Sequence, residues 1–240
     1  VGAFKAAWTR CDDELFLQRR EWFELSHHPF VFVPGDNEWT DCRRFSAGRY
    51  DPLERLRKLR ELFHLGEESL GQRRIRLARQ SAGYPEHARW RHGEVQFVTL
   101  NVPGGANNAR RMPEEFRDRN AAAIQWLGEA FRLAREDGSG AVVVLMQANP
   151  WASPTSHYFG YRELLAALAR ETREYRGEVL LVHGDTHRHR VDRPLRDPAG
   201  SAPLANFTRV EVFGYPTMNW VRIRVGEEAG RVRFEVTPGN

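Results

Sequence analysis

Two short apolar runs constrain this chain more than any other feature. "AVVVLM" (141–146) and "VLLV" (179–182) show no polar alternation. A run of that length without alternation reads as a strand buried on both faces, which needs a sheet covered on both sides. Each run ends in a polar cluster, "QANP" (147–150) after the first and "HGDTH" (183–187) after the second. Between them, "YRELLAALARETREY" (161–175) has helical periodicity. A longer helix is expected from Pro113 to the Asp137-Gly138 pair, where the glycine suits a C-cap.

The remaining segments fill in an α/β order. Residues 12–28 open with acids that can cap a helix, with Leu15, Trp22 and Leu25 near helical spacing. "PFVFVPGD" (29–36) is a short β-rich run, and Asp51-Pro52 starts a second helix with Leu53, Leu56 and Leu59 on one side. "RIRLARQ", "ARWRH" and "VQFVTLN" read as successive strands. The tail segments "TRVEVFG", "WVRIRV" and "RVRFEV" alternate as antiparallel strands do. One α/β domain over residues 1–240 is expected, its sheet only partly parallel and its helices outside.

Composition narrows the function classes. Hydrophobic content of 41% and charged content of 28% are ordinary for a globular protein, and no apolar run is long enough to span a bilayer. The net charge is +4, carried almost wholly by arginine, since lysine occurs only at Lys5 and Lys58. The arginines alternate with acids, so no basic arm of the nucleic-acid type is present; a weak preference for anionic ligands is all they imply. "VPGGANN" (102–108) is glycine-rich but lacks the Gly-Lys-Ser/Thr of a phosphate-binding P-loop.

Ligands of α/β sheets sit beyond the carboxyl ends of strands. The expected strand ends deliver Ala3, then Gly35-Asp36-Asn37-Glu38, then Gln147 and Asn149, then His183, Asp185 and His187. Taken singly, each reads as a turn or helix cap. Taken together, they place oxygen and nitrogen donors around one cleft.

In that order the motifs resemble those of the calcineurin-like metallophosphoesterases, two-metal hydrolases of phosphate esters. The likeness runs from Val1 to about Arg193, through "PGDNEWTDC", "QANP" and "HGDTHR". It implies a mixed β-sandwich flanked by helices, without its first strand, since the family's opening Asp-x-His block has no counterpart and the chain reads as N-terminally truncated. It also places Ala3 at the family's metal-bridging carboxylate and Asp36 at a metal-binding Asn. Asn37 then stands at the His that assists the leaving group, Gln147 at a lone metal-binding His, and Asp185 and His187 at the two positions of Gly-His-x-His.

The implied metal ligands are Asp36, Gln147, Asp185 and His187, with Asn37, Arg188 and Arg190 acting on the phosphate. The shift from imidazole to oxygen donors favours Mg²⁺, Ca²⁺ or Mn²⁺ over zinc or iron. With alanine at position 3, one weakly held ion at most is expected. A small phosphorylated substrate is implied; a phosphate-binding protein without turnover and a nuclease of the same fold stay open. His183 reads as a core or supporting residue, and Trp39 as packing. Cys11 and Cys42 follow Ala3 and Asp36 by similar intervals and are expected to form a disulfide, which favours an exported, periplasmic protein.

Overall fold

The computed structural model describes residues 4–152 and 158–239 of the 240-residue chain. In chain order the elements are α1 (Asp13–Glu24), α2 (Pro52–Phe63), β1 (Ala78–Arg79), β2 (Ala88–His92), β3 (Val95–Thr99) and a single turn, α3 (Gly104–Asn107). Then come α4 (Pro113–Glu136), β4 (Ala141–Leu145), α5 (Arg162–Glu174), β5 (Glu178–His183), β6 (Arg190–Asp192), β7 (Phe207–Glu211), β8 (Val221–Glu228) and β9 (Arg231–Pro238). Seven strands form one mixed sheet in the order β1-β2-β3-β4-β5-β7-β6. Its centre, β3, β4, β5 and β7, is parallel; β1, β2 and β6 are antiparallel to their neighbours.

The two apolar runs are its middle strands, and their alternate side chains serve opposite layers. Val142, Val144, Val179 and Leu181 join Leu127, Phe131, Leu164 and Leu168 of α4 and α5 in one buried cluster. Ala141, Val143, Leu180 and Val182 face the other way, against Val232 and the half-buried Ile223 and Phe234 of the β8–β9 hairpin. The α/β class is as expected. The second β layer, however, is a two-stranded hairpin rather than a full sheet, and β7 runs parallel to β5, so only part of the tail is antiparallel.

Beside the sheet lies an aromatic cluster built from Phe16, Phe32, Trp39, Leu56, Leu59 and Phe63, with Phe4 about equally close to three of the rings (5.3–5.6 Å). Helix α1, capped by Asp12, turns Phe16 and Phe23 into this cluster and leaves Trp22 and Leu25 exposed. The spacing of Leu15, Trp22 and Leu25 therefore marked the wrong face. In α2, capped by Asp51, Leu56 and Leu59 are buried as expected, while Leu53 faces out. The run at 29–36 forms a single bridge, Phe30 to Leu70, and no ladder; Pro29 and Pro34 supply no N–H for one. "RIRLARQ" contributes only Ala78 and Arg79 to the sheet, plus an isolated Arg76–Glu68 bridge.

Cys11 and Cys42 are joined in a fully buried disulfide closing a 31-residue separation. It ties the segment before α1 to the short 3-10 turn at Thr40–Arg43. On the cluster's far side, buried Glu86 holds Arg60 through two bonds of 2.7 and 2.8 Å and accepts from Asn101 at 3.0 Å. Burial alone would raise the Glu86 carboxyl, but Arg60 and His87 carry it down to about 2. Burial depresses His64 to about 3 and His87 to about 4.

Two predictions follow from these contacts. Replacing Cys11 and Cys42 with alanine is expected to lower stability by about 3–4 kcal/mol in the chain-entropy account of a loop this long, read from urea midpoints. His64 and His87 titrate near 6.5 when unfolded and only near 3 to 4 when folded, so the unfolded chain binds the extra protons. Stability should therefore fall as pH drops from 6.5 toward 4. His87→Asn, which keeps a donor toward Gln80, should flatten that slope in urea titrations at several pH values; an unchanged slope would contradict it.

Candidate functional site

The loops that leave β3, β4 and β5 at their carboxyl ends meet the turn at residues 35–38. Backbone bonds set the loops side by side: Ala148 N donates to Val102 O (2.9 Å) and Gly184 N to Gln147 O (3.0 Å). The β3 loop then enters α3, where Gly105, Ala106, Asn107 and Asn108 all have positive φ, from 55° to 65°. This left-handed turn brings Gly104 up to the loops.

Gly104 is the meeting point. A methyl group placed on it would lie 2.5 Å from Asp36 Oδ2 and 2.7 Å from Asp185 Oδ1. The two carboxylates, 149 residues apart in sequence, thus crowd one point beside the Gly104 backbone, their oxygens no farther apart than those two distances together. Gln147 ties Asp36 to Gly104: its Nε2 donates to Asp36 Oδ1 (3.1 Å), and its Oε1 accepts from the amides of Gly104 (2.6 Å) and Asp36 (3.4 Å). Gly35 lies flush on the Gln147 stem, where a methyl would meet Cγ at 2.6 Å.

The pair is electrostatically uncomfortable. Burial, then the charge of Asp185, raises the Asp36 carboxyl to about 7. Burial also raises Asp185, against the Asn149 amide that donates to its Oδ2 at 2.9 Å. The nearby ammonium of Lys5 is itself buried and donates to Ala6 O (3.0 Å). Glu38 is fully buried and raised to about 7, chiefly by desolvation, but it accepts from the amides of Gly35 (2.9 Å) and Phe4 (3.1 Å), which makes it a support of the turn.

Of the residues expected from sequence, Asp36, Gln147 and Asp185 are brought together. His187 is not among them: it sits exposed at the rim, φ 61°, with Nδ1 2.7 Å from Tyr215 O. Asn37 gives its side-chain amide to Lys5 O (3.4 Å) and its backbone N–H to Asp36 Oδ1 (2.9 Å). Arg190 pairs with buried Glu211 (3.0 Å), and Arg188 is exposed beside it. His183 is buried, as expected, with Nδ1 on Gly184 O at 2.9 Å. Trp39 is wholly buried packing. Ala3 lies outside the described residues.

The sequence reading missed Gly104, Asn149 as a tether, and Glu211. "VPGGANN" lacks a P-loop's Lys-Ser/Thr, and its role lies in backbone shape, which composition does not report. Glu211 looks like any acid on an alternating strand. Among the described residues, no group of three or more His, Cys, Asp or Glu side chains stands together as an ion cage. No protein-family model and no curated protein matches the chain.

The like-charge contact is directly testable. In metal-free protein, Asp185→Asn removes the anion facing Asp36, so the Asp36 carboxyl should titrate well below its value of about 7. Carbon NMR of labelled aspartate across pH would show it; an unmoved Asp36 would mean the two do not share a site.

Proposed function

We propose that this chain is a phosphate-ester hydrolase of the calcineurin-like metallophosphoesterase type, working with a single divalent ion held by Asp36 and Asp185. The observation that carries the reading is the half-buried carboxylate pair that crowds Gly104, with Asp36 raised to about 7. Two acids, one in the turn at residues 35–38 and one just after β5, both raised in pKa and in no salt bridge with arginine among the described residues, fit a cation with oxygen preference, such as Mn²⁺, Mg²⁺ or Ca²⁺. The order of motifs along the chain supports the family, and the disulfide supports an oxidising, periplasmic setting.

An ion there would supply Lewis acidity and lower the pKa of a water beside a bound phosphate. The chain's own part is to fix that ion and to receive the ester. Gln147 keeps Asp36 aimed inward, and the Asn149 amide does the same for Asp185. Arg188, exposed at the mouth, can meet the charge on the phosphate oxygens with its planar fork. Asn37 cannot donate a proton as an imidazolium would, so esters of good leaving groups should react best. The lack of a three-ligand cage among the described residues favours one second reading: a protein that binds a phosphorylated ligand without turnover.

Calorimetric titration with Mn²⁺ tests the site, and hydrolysis of an aryl phosphodiester tests the chemistry. Mn²⁺ should bind weakly, and Asp36→Ala or Asp185→Ala should each cost about tenfold or more in affinity. Zinc that survives dialysis against a chelator, or Mn²⁺ binding untouched by Asp185→Ala, would remove the assignment. Mn²⁺ binding with no hydrolysis would select the second reading.

A further inference from the structure

Two chain segments run beside the Asp36 turn and the Asp185 loop, and each ends in an exposed aromatic ring. On one side, Phe4 N donates to Glu38 Oε1 (3.1 Å) and Lys5 O accepts from Asn37 Nδ2 (3.4 Å), so the segment runs along the Asp36 turn. A tight turn, Thr9 N to Ala6 O at 3.0 Å, then carries Trp8 outward. On the other side, the loop after β7 follows the Asp185 loop. Val212 N donates to His183 O (2.8 Å), and Gly214 lies flush on His187, where a methyl would meet the ring at 2.5 Å. Tyr215 O is 2.7 Å from His187 Nδ1. The rings of Trp8 and Tyr215 meet edge to face at 5.4 Å, joining the Asp36 side to the His187 side.

That pair is 59% and 60% exposed, and Met218 in the same loop is 90% exposed. Other exposed aromatics are covered by guanidinium groups: Trp22 by Arg19 at 4.0 Å, Phe45 by Arg49 at 4.8 Å and Trp220 by Arg222 at 5.1 Å. Among the described residues, Trp8 and Tyr215 have no such cover. A T-shaped pair is stable yet leaves ring surface open for a third aromatic group. An open apolar rim around a charged cleft marks a ligand whose one end is anionic and whose other end is apolar.

We infer that Trp8 and Tyr215 form a clamp for the organic group of the ester, so that the preferred ligands are phosphate esters of small aromatic alcohols or phenols. This rests on the phosphoesterase reading above. The preference is one of binding and is separate from any effect of leaving-group acidity. It is therefore measured with ligands that cannot be hydrolysed.

The experiment is calorimetry in saturating Mn²⁺ with methylphosphonate and benzylphosphonate, on the intact chain and on Trp8→Ala and Tyr215→Leu. The intact chain should bind benzylphosphonate about tenfold more tightly than methylphosphonate. Both variants change exposed side chains; they should keep methylphosphonate affinity while the ratio falls toward one. Equal binding of the two phosphonates by the intact chain, or a ratio that survives both substitutions, overturns the clamp alone. If neither phosphonate binds, the phosphoesterase reading falls and the clamp falls with it.

Discussion

The guanidinium of Arg119 holds together the parts on which everything else depends. It is almost wholly buried and donates to Asn101 O (2.8 Å), Asn107 Oδ1 (2.7 Å) and Asn107 O (3.0 Å), with Glu115 as its counter-ion at 2.6 Å. It also stacks over Trp39 of the aromatic cluster, 5.4 Å from the ring centre. One side chain of α4 thus fixes the left-handed turn that presents Gly104 and joins the sheet to the cluster carrying Asp36. Ala106, Asn107 and Asn108 each lie in a backbone region costing about 1–3 kcal/mol. Hydrogen bonds to a charged group contribute about 1.5–3 kcal/mol each, so the bonds to Arg119 are of the size needed to offset that strain.

The buried acids divide into two kinds. Glu86 has Arg60, Asp41 has Arg44 and Glu211 has Arg190. Glu211 does more than balance a charge: it accepts from Thr186 Oγ1, from Asn149 Nδ2 at 3.2 Å and from Arg188 N at 3.4 Å. It therefore anchors a loop in which Asp185 and His187 both adopt positive φ, a conformation non-glycine residues rarely hold without such support. Asp36 and Asp185 belong to the other kind. They are held as firmly as the paired acids but face each other. Where this chain gives Glu86 and Glu211 an arginine and Glu38 two backbone amides, two half-buried acids that face each other are the place to look for function.

How much of this was legible depended on whether the signal was local. "AVVVLM" and "VLLV" announced central strands because a stretch with no polar side chain has no solvent face. Asp12, Asp51 and Pro113 marked helix starts because caps act over a few residues. Asp36, Gln147 and Asp185 were legible as donors at strand ends, and the structure gathers all three. What failed was long-range. Trp22 and Leu25 resemble a buried stripe, yet Phe16 and Phe23 meet the cluster, a choice made by partners elsewhere in the chain. Gly104, Arg119 and Glu211 matter through contacts 12 to 81 residues away or through backbone shape, and no local pattern reports those.

The electrostatics of the carboxylate pair explain how one fold can tolerate it. Two unit charges at about 5 Å repel by about 3 kcal/mol at an effective dielectric of 20, a large fraction of a domain's net stability. Partial burial weakens the screening of that repulsion by water, and Gln147 and the Asn149 amide hold the two carboxylates in place by hydrogen bonds. The remaining relief is to carry a positive species between them. Below about pH 7 a proton on Asp36 suffices. Above it, the same geometry would suit a divalent ion of the kind proposed. Asp36 hangs from the disulfide-tied cluster and Asp185 from the sheet, so an ion between them would also fasten those two parts. The arrangement that makes the pair costly without positive charge is the one that would favour binding it.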